Sequence, residues 1–307
     1  MKVLVLGSTG LVGSPFKKLL GENHIYHTRK DVDLTDEKLT KEYISYHVNN
    51  SGVDTIINCG AKIGGVQANI LDNRGYFLEN YIISNNVINA AFENNIKNFV
   101  NFSSTCVFPD QDVTYPLTAD QIDLGPPHPS NKGYAYSKRL SGYQTKMFRE
   151  YTGNNWITVI PANVYGPHDN FHPDFSHIVP GIIQRAYHCK YKNEDFIVWG
   201  DGSPLRQFIH TDDLAKNILW AIDNWNSGVP FMALTETELS VLDIVKIVMK
   251  KFEINSDKII FDSTKPKGQF KKPAKSDIPK DYKFIDLEQG INETIDWFIN
   301  NYDTARK

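Results

Sequence analysis

The chain has 307 residues, 41% of them hydrophobic and 22% charged, with a formal net charge of −3. That length predicts about two domains or one large α/β unit, and the near-neutral balance gives no reason to expect nucleic acid or an anionic membrane as a partner. No apolar run approaches the ~18 residues of a membrane span, and Cys59, Cys106 and Cys189 stand far apart without metal-ligand spacing, as suits a reduced cytoplasmic protein.

Lys2 to Leu6 reads as a buried strand, followed at once by Gly7-Ser8-Thr9-Gly10-Leu11-Val12-Gly13. Glycines at this spacing serve a sharp turn and a close backbone approach to a pyrophosphate, so a dinucleotide loop is expected; the competing reading is a plain glycine turn. Val12, Phe16, Leu19 and Leu20 then recur at helical spacing, with Pro15 tolerable near the first turn. A second strand, over about His24 to Thr28, ends in Thr28-Arg29-Lys30. An NAD site wants an acid there, whereas an arginine suits a 2′-phosphate. Arg29 is therefore the candidate for the 2′-phosphate and NADP(H) the expected cofactor, with Asp33 following where such folds close over the adenine. A solvated basic turn is the alternative.

A helix over about Glu37 to Asn49 and a strand over Thr55 to Asn58 lead to Cys59-Gly60-Ala61-Lys62-Ile63-Gly64-Gly65, whose small residues let the backbone pass close to a ribose and nicotinamide. Phe77, Tyr81, Ser84, Ile88 and Ala91 mark one stripe of a long helix; a second stripe, with Ile82 and Ile83, is free to cover the sheet or a second subunit. The apolar run Phe99 to Phe102 ends in Ser103-Ser104-Thr105-Cys106, as a buried strand does where its carboxyl end opens on a site. Tyr134 and Lys138 lie one turn apart on a helix over about Lys132 to Tyr151. The ammonium is expected to lower the phenol pKa and make Tyr134 a usable acid near neutrality.

The strand from Trp156 to Ile160 ends in Pro161-Ala162-Asn163-Val164-Tyr165-Gly166-Pro167-His168-Asp169-Asn170-Phe171-His172-Pro173. Prolines exclude a helical metal pair between His168 and His172, and no metal site is expected. Ser176-His177 opens a further helix. Trp199-Gly200 begins a tight turn, Arg206 stands on the strand that leaves it, and an N-capped helix follows near Asp212. Arg206 suits diphosphate recognition through its planar fork; satisfying loop carbonyls is the equal alternative. The loop from Lys265 to Lys280 carries lysines at 265, 267, 271, 272, 275 and 280, a solvated face or a phosphate clamp.

Ala61 to Gly65, Ser104 to Pro109, Tyr134 with Lys138, Asn163 to Pro173 with Ser176-His177, and Trp199-Gly200 with Arg206 together resemble the GDP-L-fucose synthase family over nearly the whole chain. These are NADPH-dependent 3,5-epimerase/4-reductases acting on GDP-4-keto-6-deoxy-D-mannose. The resemblance implies that Ser104 and Tyr134 bond the C4 carbonyl, that Lys138 binds the nicotinamide ribose, and that Cys106 and His177 form the acid/base pair. It also implies that Arg185, Trp199 and Arg206, with Asn163, contact the GDP-sugar. Pro161, Ala162, Asn163 and Val164 would line the nicotinamide, with His177 beside the cofactor. A homodimer through helices near 75–94 and 133–151 is implied as well. Thr105 and Phe108 depart from the family's Ser and Tyr, and Lys275, near Asp277, stands where an aspartate is expected. The alternative reading is a C4-keto reductase of a related GDP-sugar, such as a GDP-4-keto-heptose, with the Cys/His pair silent.

Alternating strands and helices predict an α/β fold, a Rossmann-like doubly wound parallel sheet with a smaller, interleaved C-terminal substrate domain. The expected boundaries are 1–163 with about 208–236 for the cofactor domain, and about 164–207 with 237–307 for the GDP-sugar domain.

Overall fold

The computed structural model describes residues 1–265 and 271–307. Its main sheet is built from β1 (Val3–Leu6), β2 (Ile25–Tyr26), β3 (Thr55–Asn58), β4 (Asn98–Phe102), β5 (Asn155–Pro161) and β9 (Phe231–Ala233), in the order β2-β1-β3-β4-β5-β9, every pair parallel. Side chains alternate across a strand, and here both faces are covered. Leu4 and Leu6 enter a core with Ile44, Val87, Ile88, Phe99 and Trp156, under α2 (Glu37–Ser51), α4 (Asn73–Glu93) and α5 (Lys132–Thr152). Val3 and Val5 enter the opposite core with Phe16, Val100, Val159, Leu214 and Ile218, under α1 (Ser14–Leu20) and α7 (Thr211–Asn224). The chain moves outward from β1 to β2 and then returns to β3 on β1's other side. The crevice between the carboxyl ends of β1 and β3 is therefore the switch point at which such sheets bind ligands.

β2 is shorter than the pattern suggested. Thr28 N and Oγ1 both donate to the Asp31 carboxylate, at 2.6 and 2.9 Å, and this turn ends the strand. Between β3 and α4 lies α3 (Val66–Leu71), an element for which the sequence pattern gave no expectation. The break falls at Asp72, whose side chain accepts from Gly75 N and caps α4.

A second layer stands over the carboxyl edge. β6 (Asn163–Tyr165) runs parallel to β8 (Leu205–His210), which pairs antiparallel with β10 (Glu238–Ser240); β7 (Phe196–Trp199) pairs parallel with β11 (Ile259–Asp262). Around them α6 (Ile178–Lys192), α8 (Val241–Phe252) and α9 (Leu287–Asn300) bury Phe171, Ile182, Phe196, Val245 and Phe298 in a separate core. α7 and β9 return to the main sheet. So does a stretch farther on: Ala274 and Ile278 pack into the first core, and Asp277 exchanges bonds with Met232 through both its backbone N–H and its carboxylate. Asp277 is thus committed to the sheet edge. Lys267, in the middle of the lysine-rich loop, lies outside the described residues.

Candidate active site

A cleft of about 430 Å³ separates the two layers, lined by the carboxyl ends of the main strands on one side and by α6, β7 and β8 on the other. Its floor is the glycine loop. Gly7 holds φ at +72°, and a Cβ at Gly13 would stand 2.4 Å from the Gly7 carbonyl oxygen. Only glycine lets the turn close this tightly and leave its backbone facing the cleft. Gly7, Gly10, Leu11, Val12 and Gly13 line the cleft, as do Ala61, Pro161, Ala162, Asn163 and Val164. This cradle of backbone beside the switch point fits a dinucleotide. Ser8 and Thr9 lie outside the lining, as do Arg29 and Asp33. Arg29 is exposed and paired with Asp33 at 3.1 Å, while Thr35 occupies the other Asp33 oxygen from both its N–H and its hydroxyl.

The end of β4 becomes a single 3-10 turn, Thr105–Val107, because the Ser104 hydroxyl accepts from Cys106 N at 3.2 Å. One cap therefore fixes Ser104 and Cys106 relative to each other. Asn131, just before α5, donates to the Cys106 sulfur at 2.9 Å. Tyr134 and Lys138 rise from the next turns of α5, with the Lys138 Nζ 5.8 Å from the Tyr134 ring centroid. Gly133 sets the approach of α5: its N–H bonds Asn73 Oδ1 at 2.6 Å, and a Cβ there would lie 2.0 Å from the Asn73 carbonyl oxygen.

Electrostatics in this corner differ from the expectation at Tyr134. Burial pushes the phenol pKa up, with the Cys106 sulfur adding to the rise and Ser104 opposing it. Burial also pulls Lys138, which is 3% exposed, down to about 8. Desolvation dominates at both groups, so Tyr134 keeps its proton at neutral pH. That is the protonation state an acid needs. Burial likewise raises the Cys59 thiol, which packs against the first core as a small apolar group.

His177 faces the cleft from the N-cap of α6; its ring is exposed to the cleft, and desolvation by the surrounding walls, then the Arg306 charge, hold its pKa below the usual histidine value. The loop carrying it meets Gly64-Gly65 back to back: Gly65 N donates to Phe175 O at 2.7 Å, and a Cβ at Gly65 would lie 2.2 Å from Ser176 O. These glycines bring the two walls together as well as lying beside the cofactor cradle. Farther along, the Arg185 guanidinium lies 5.3 Å from the Trp199 ring centroid and Lys265 Nζ 5.0 Å from the same centroid. Burial lowers Arg185 to about 10, and its Nε has no hydrogen-bond partner among the described residues. Arg206 and Lys272 line the same cleft, both depressed mainly by burial, and Lys272 Nζ lies 3.4 Å from Thr105 O. Half-buried cations, two of them beside an indole, suit a nucleotide diphosphate.

Ser104, Cys106, Tyr134, Lys138, His177, Arg185, Trp199 and Arg206 are thus brought to one cleft. Asp169 and Arg306 join them without having been singled out in the sequence. Asp169 is 3% exposed, its Oδ2 has no hydrogen-bond partner among the described residues, and burial raises it to about 7. Arg306 arrives because Phe171 N bonds its carbonyl at 2.8 Å while its guanidinium donates to His168 O at 2.7 Å. Among the described residues no group of three His, Cys, Asp or Glu is placed to hold a metal ion, and no helix is long and apolar enough to cross a membrane.

Residues 3–233 match the NAD dependent epimerase/dehydratase family. The chain is 37% identical to a GDP-L-fucose synthase of Dictyostelium discoideum, across 99% of this chain and 97% of that protein. A solved GDP-L-fucose synthetase from Naegleria fowleri bound to NADP superposes with a TM-score of 0.89 at 31% identity, covering 99% of this chain and 96% of that one. A GDP-6-OMe-4-keto-L-xylo-heptose reductase from C. jejuni shares the fold, with a TM-score of 0.84 at 21% identity over 98% of each chain.

Proposed function

The chain belongs to the GDP-L-fucose synthase family, within the NAD dependent epimerase/dehydratase family, and from that membership we propose that it converts GDP-4-keto-6-deoxy-D-mannose to GDP-L-fucose. It does so by epimerising C3 and C5 and then reducing the C4 ketone. The observation that supports this best is the gathering of Cys106 and His177 with Ser104, Tyr134 and Lys138 in one cleft. A simple reductase needs the last three; inverting a carbon needs an acid and a base besides.

The chemistry follows from the substrate. A C4 ketone acidifies the protons on C3 and C5, and inversion requires removal from one face and delivery to the other. A thiol and an imidazole titrate close enough to neutrality to exchange those roles. Negative charge then develops on the C4 oxygen, where the Ser104 and Tyr134 hydroxyls act as fixed donors. Bound NADPH supplies hydride to C4. Tyr134, which burial keeps protonated, gives the C4 oxygen its proton, and Lys138 sits one turn away to hold the cofactor ribose. The glycine loop and Pro161 to Val164 would hold the cofactor, and Arg29, which lies outside the cleft and is paired with Asp33, would exchange that partner for a 2′-phosphate. Arg185, Trp199 and Arg206 hold the GDP moiety.

We assign the cofactor domain to 1–163 with about 208–236, the returning stretch that carries α7 and β9. The protein is proposed to be a cytoplasmic homodimer. Supporting a dimer, α4 and α5 lie side by side and leave Leu78, Tyr81, Tyr136, Leu140, Tyr143 and Met147 exposed.

The deciding experiment is proton exchange in deuterated water with GDP-4-keto-6-deoxy-mannose and no NADPH, followed by NMR. Deuterium is expected at C3 and C5, and Cys106→Ser is expected to stop its entry while some NADPH-dependent C4 reduction survives. Oxidation of NADPH without any deuterium entry would make the protein a C4-keto reductase of a related GDP-sugar instead.

A further inference from the structure

His27 follows β2, is 2% exposed, and has no part in the reaction described above. Main-chain atoms engage both of its ring nitrogens. Gly7 N donates to Nδ1 at 3.2 Å, and Nε2 lies 2.9 Å from the Val32 carbonyl oxygen. An amide N–H can only donate and a carbonyl can only accept. The ring is therefore the neutral tautomer with its proton on Nε2. Around it the backbone completes a clamp: His27 N donates to Val5 O at 3.0 Å, while Ser8 N and Ser8 Oγ both donate to His27 O, at 3.0 and 2.9 Å. On its other side Gly7 is pressed against the end of β3, where an added Cβ would meet Cys59 and Gly60 backbone atoms at 3.0 Å. The first residues of the dinucleotide loop are wedged between β3 and His27.

We propose that His27 is a positioning residue for the dinucleotide, and that protonating its ring releases the glycine loop and loosens cofactor binding. Protonation places an N–H on Nδ1 facing the Gly7 N–H, which replaces an acceptor with a second donor. The Gly7 amide is then left buried against a positive ring, and the turn that shapes the cradle loses its anchor. This rests on the assignment of Gly7 to Gly13 as the cofactor loop.

The groups facing His27 set the direction. From its own turn, the Asp31 and Asp33 carboxylates favour the charged ring, with Arg29 paired to Asp33. From α2, the Tyr43 ring meets it edge-on at 5.4 Å, and His47 lies against Tyr43 at 4.6 Å. Burial outweighs the Val32 carbonyl bond and the two acids and keeps His27 below the ordinary histidine value. The clamp is therefore closed at neutral pH and opens only as pH falls through that lowered pKa. Affinity is full above it and lost below it.

The test is calorimetric titration with NADP⁺, which survives acid, from pH 8 to pH 5, on the wild-type chain, His27→Asn and His27→Leu. Asparagine places an oxygen near the Nδ1 position and does not titrate; leucine removes the acceptor. As pH falls from 8, the wild type is expected to show a greater fold-loss of affinity than His27→Asn, each measured against its own value at pH 8. The 2′-phosphate titrates in both proteins and cancels in that ratio. His27→Leu is expected to bind about ten-fold more weakly or worse at every pH. If it fails to fold, the comparison with asparagine still decides. Parallel losses in the wild type and His27→Asn would overturn the proposal. Absence of saturable NADP⁺ binding to the wild type at any pH would instead overturn the cofactor loop itself.

Discussion

His177 is neutral at neutral pH, because desolvation by the cleft walls and the nearby Arg306 guanidinium both disfavour its charged form. A neutral imidazole can take a proton from carbon directly. Deuterium exchange at the carbon it serves is therefore expected to fall as pH drops through its lowered pKa. Arg306→Gln removes one of the two causes, so the acid limb of the exchange profile should move to higher pH. Asp169 feels the same guanidinium and titrates at about 7, so the profile should also be measured in an Asp169→Asn background, where the shift is expected to persist. An unmoved limb in both backgrounds would remove Arg306 from any role at His177. None of this was legible from residue order. Arg306 stands 129 positions beyond His177 in the numbering, and the bridge between Asn170 and Arg306, with the Arg306 bond to His168 O, brings it to the cleft.

At the scale of elements, the cleft is shaped by backbones that touch. Gly65 meets Ser176 between the loop after β3 and the loop before α6, and Gly133 meets Asn73 between α5 and the start of α4. In each case the atom a Cβ would strike belongs to the main chain and cannot swing aside. Gly65→Ala is expected to part the two loops, lower stability by about 1–3 kcal/mol, and cut exchange by moving His177 away from Cys106. Thermal denaturation and the NMR exchange rate check this together; a variant with unchanged Tm and rate would mean that the walls can separate without consequence. The strands β1 to β5 and the long helices α2, α4 and α5 were legible because their apolar spacing is local. The break between α3 and α4 was not, since it depends on a capping bond at Asp72 within an otherwise helical pattern.

At the scale of the whole molecule, exposed Tyr136, Leu140, Tyr143 and Met147 share α5 and lie beside exposed Leu78 and Tyr81 of α4. An apolar strip across two packed helices is what a symmetric four-helix contact buries. Leu140→Glu combined with Met147→Glu is expected to halve the mass seen by light scattering, from twice 35.0 kDa to 35.0 kDa. Circular dichroism should be retained. A wild-type protein already at 35.0 kDa would refute the dimer.

The residue order alone determined the alternation of strands and helices, the glycine turn after β1, the hydroxyls and thiol at the end of β4, and the pairing of Tyr134 with Lys138 on one helical face. Each of these depends on neighbours within a turn or a strand, and so on distances that the backbone geometry itself sets. Tertiary structure decided the rest. It gathered Arg185, Arg206, Lys272 and Arg306 on one cleft, buried Asp169, and raised the Tyr134 phenol where a neighbouring ammonium alone would have lowered it. It also turned His27 into the clamp on the glycine loop. Desolvation and contact between distant segments arise only when the chain packs, and no local pattern carries them.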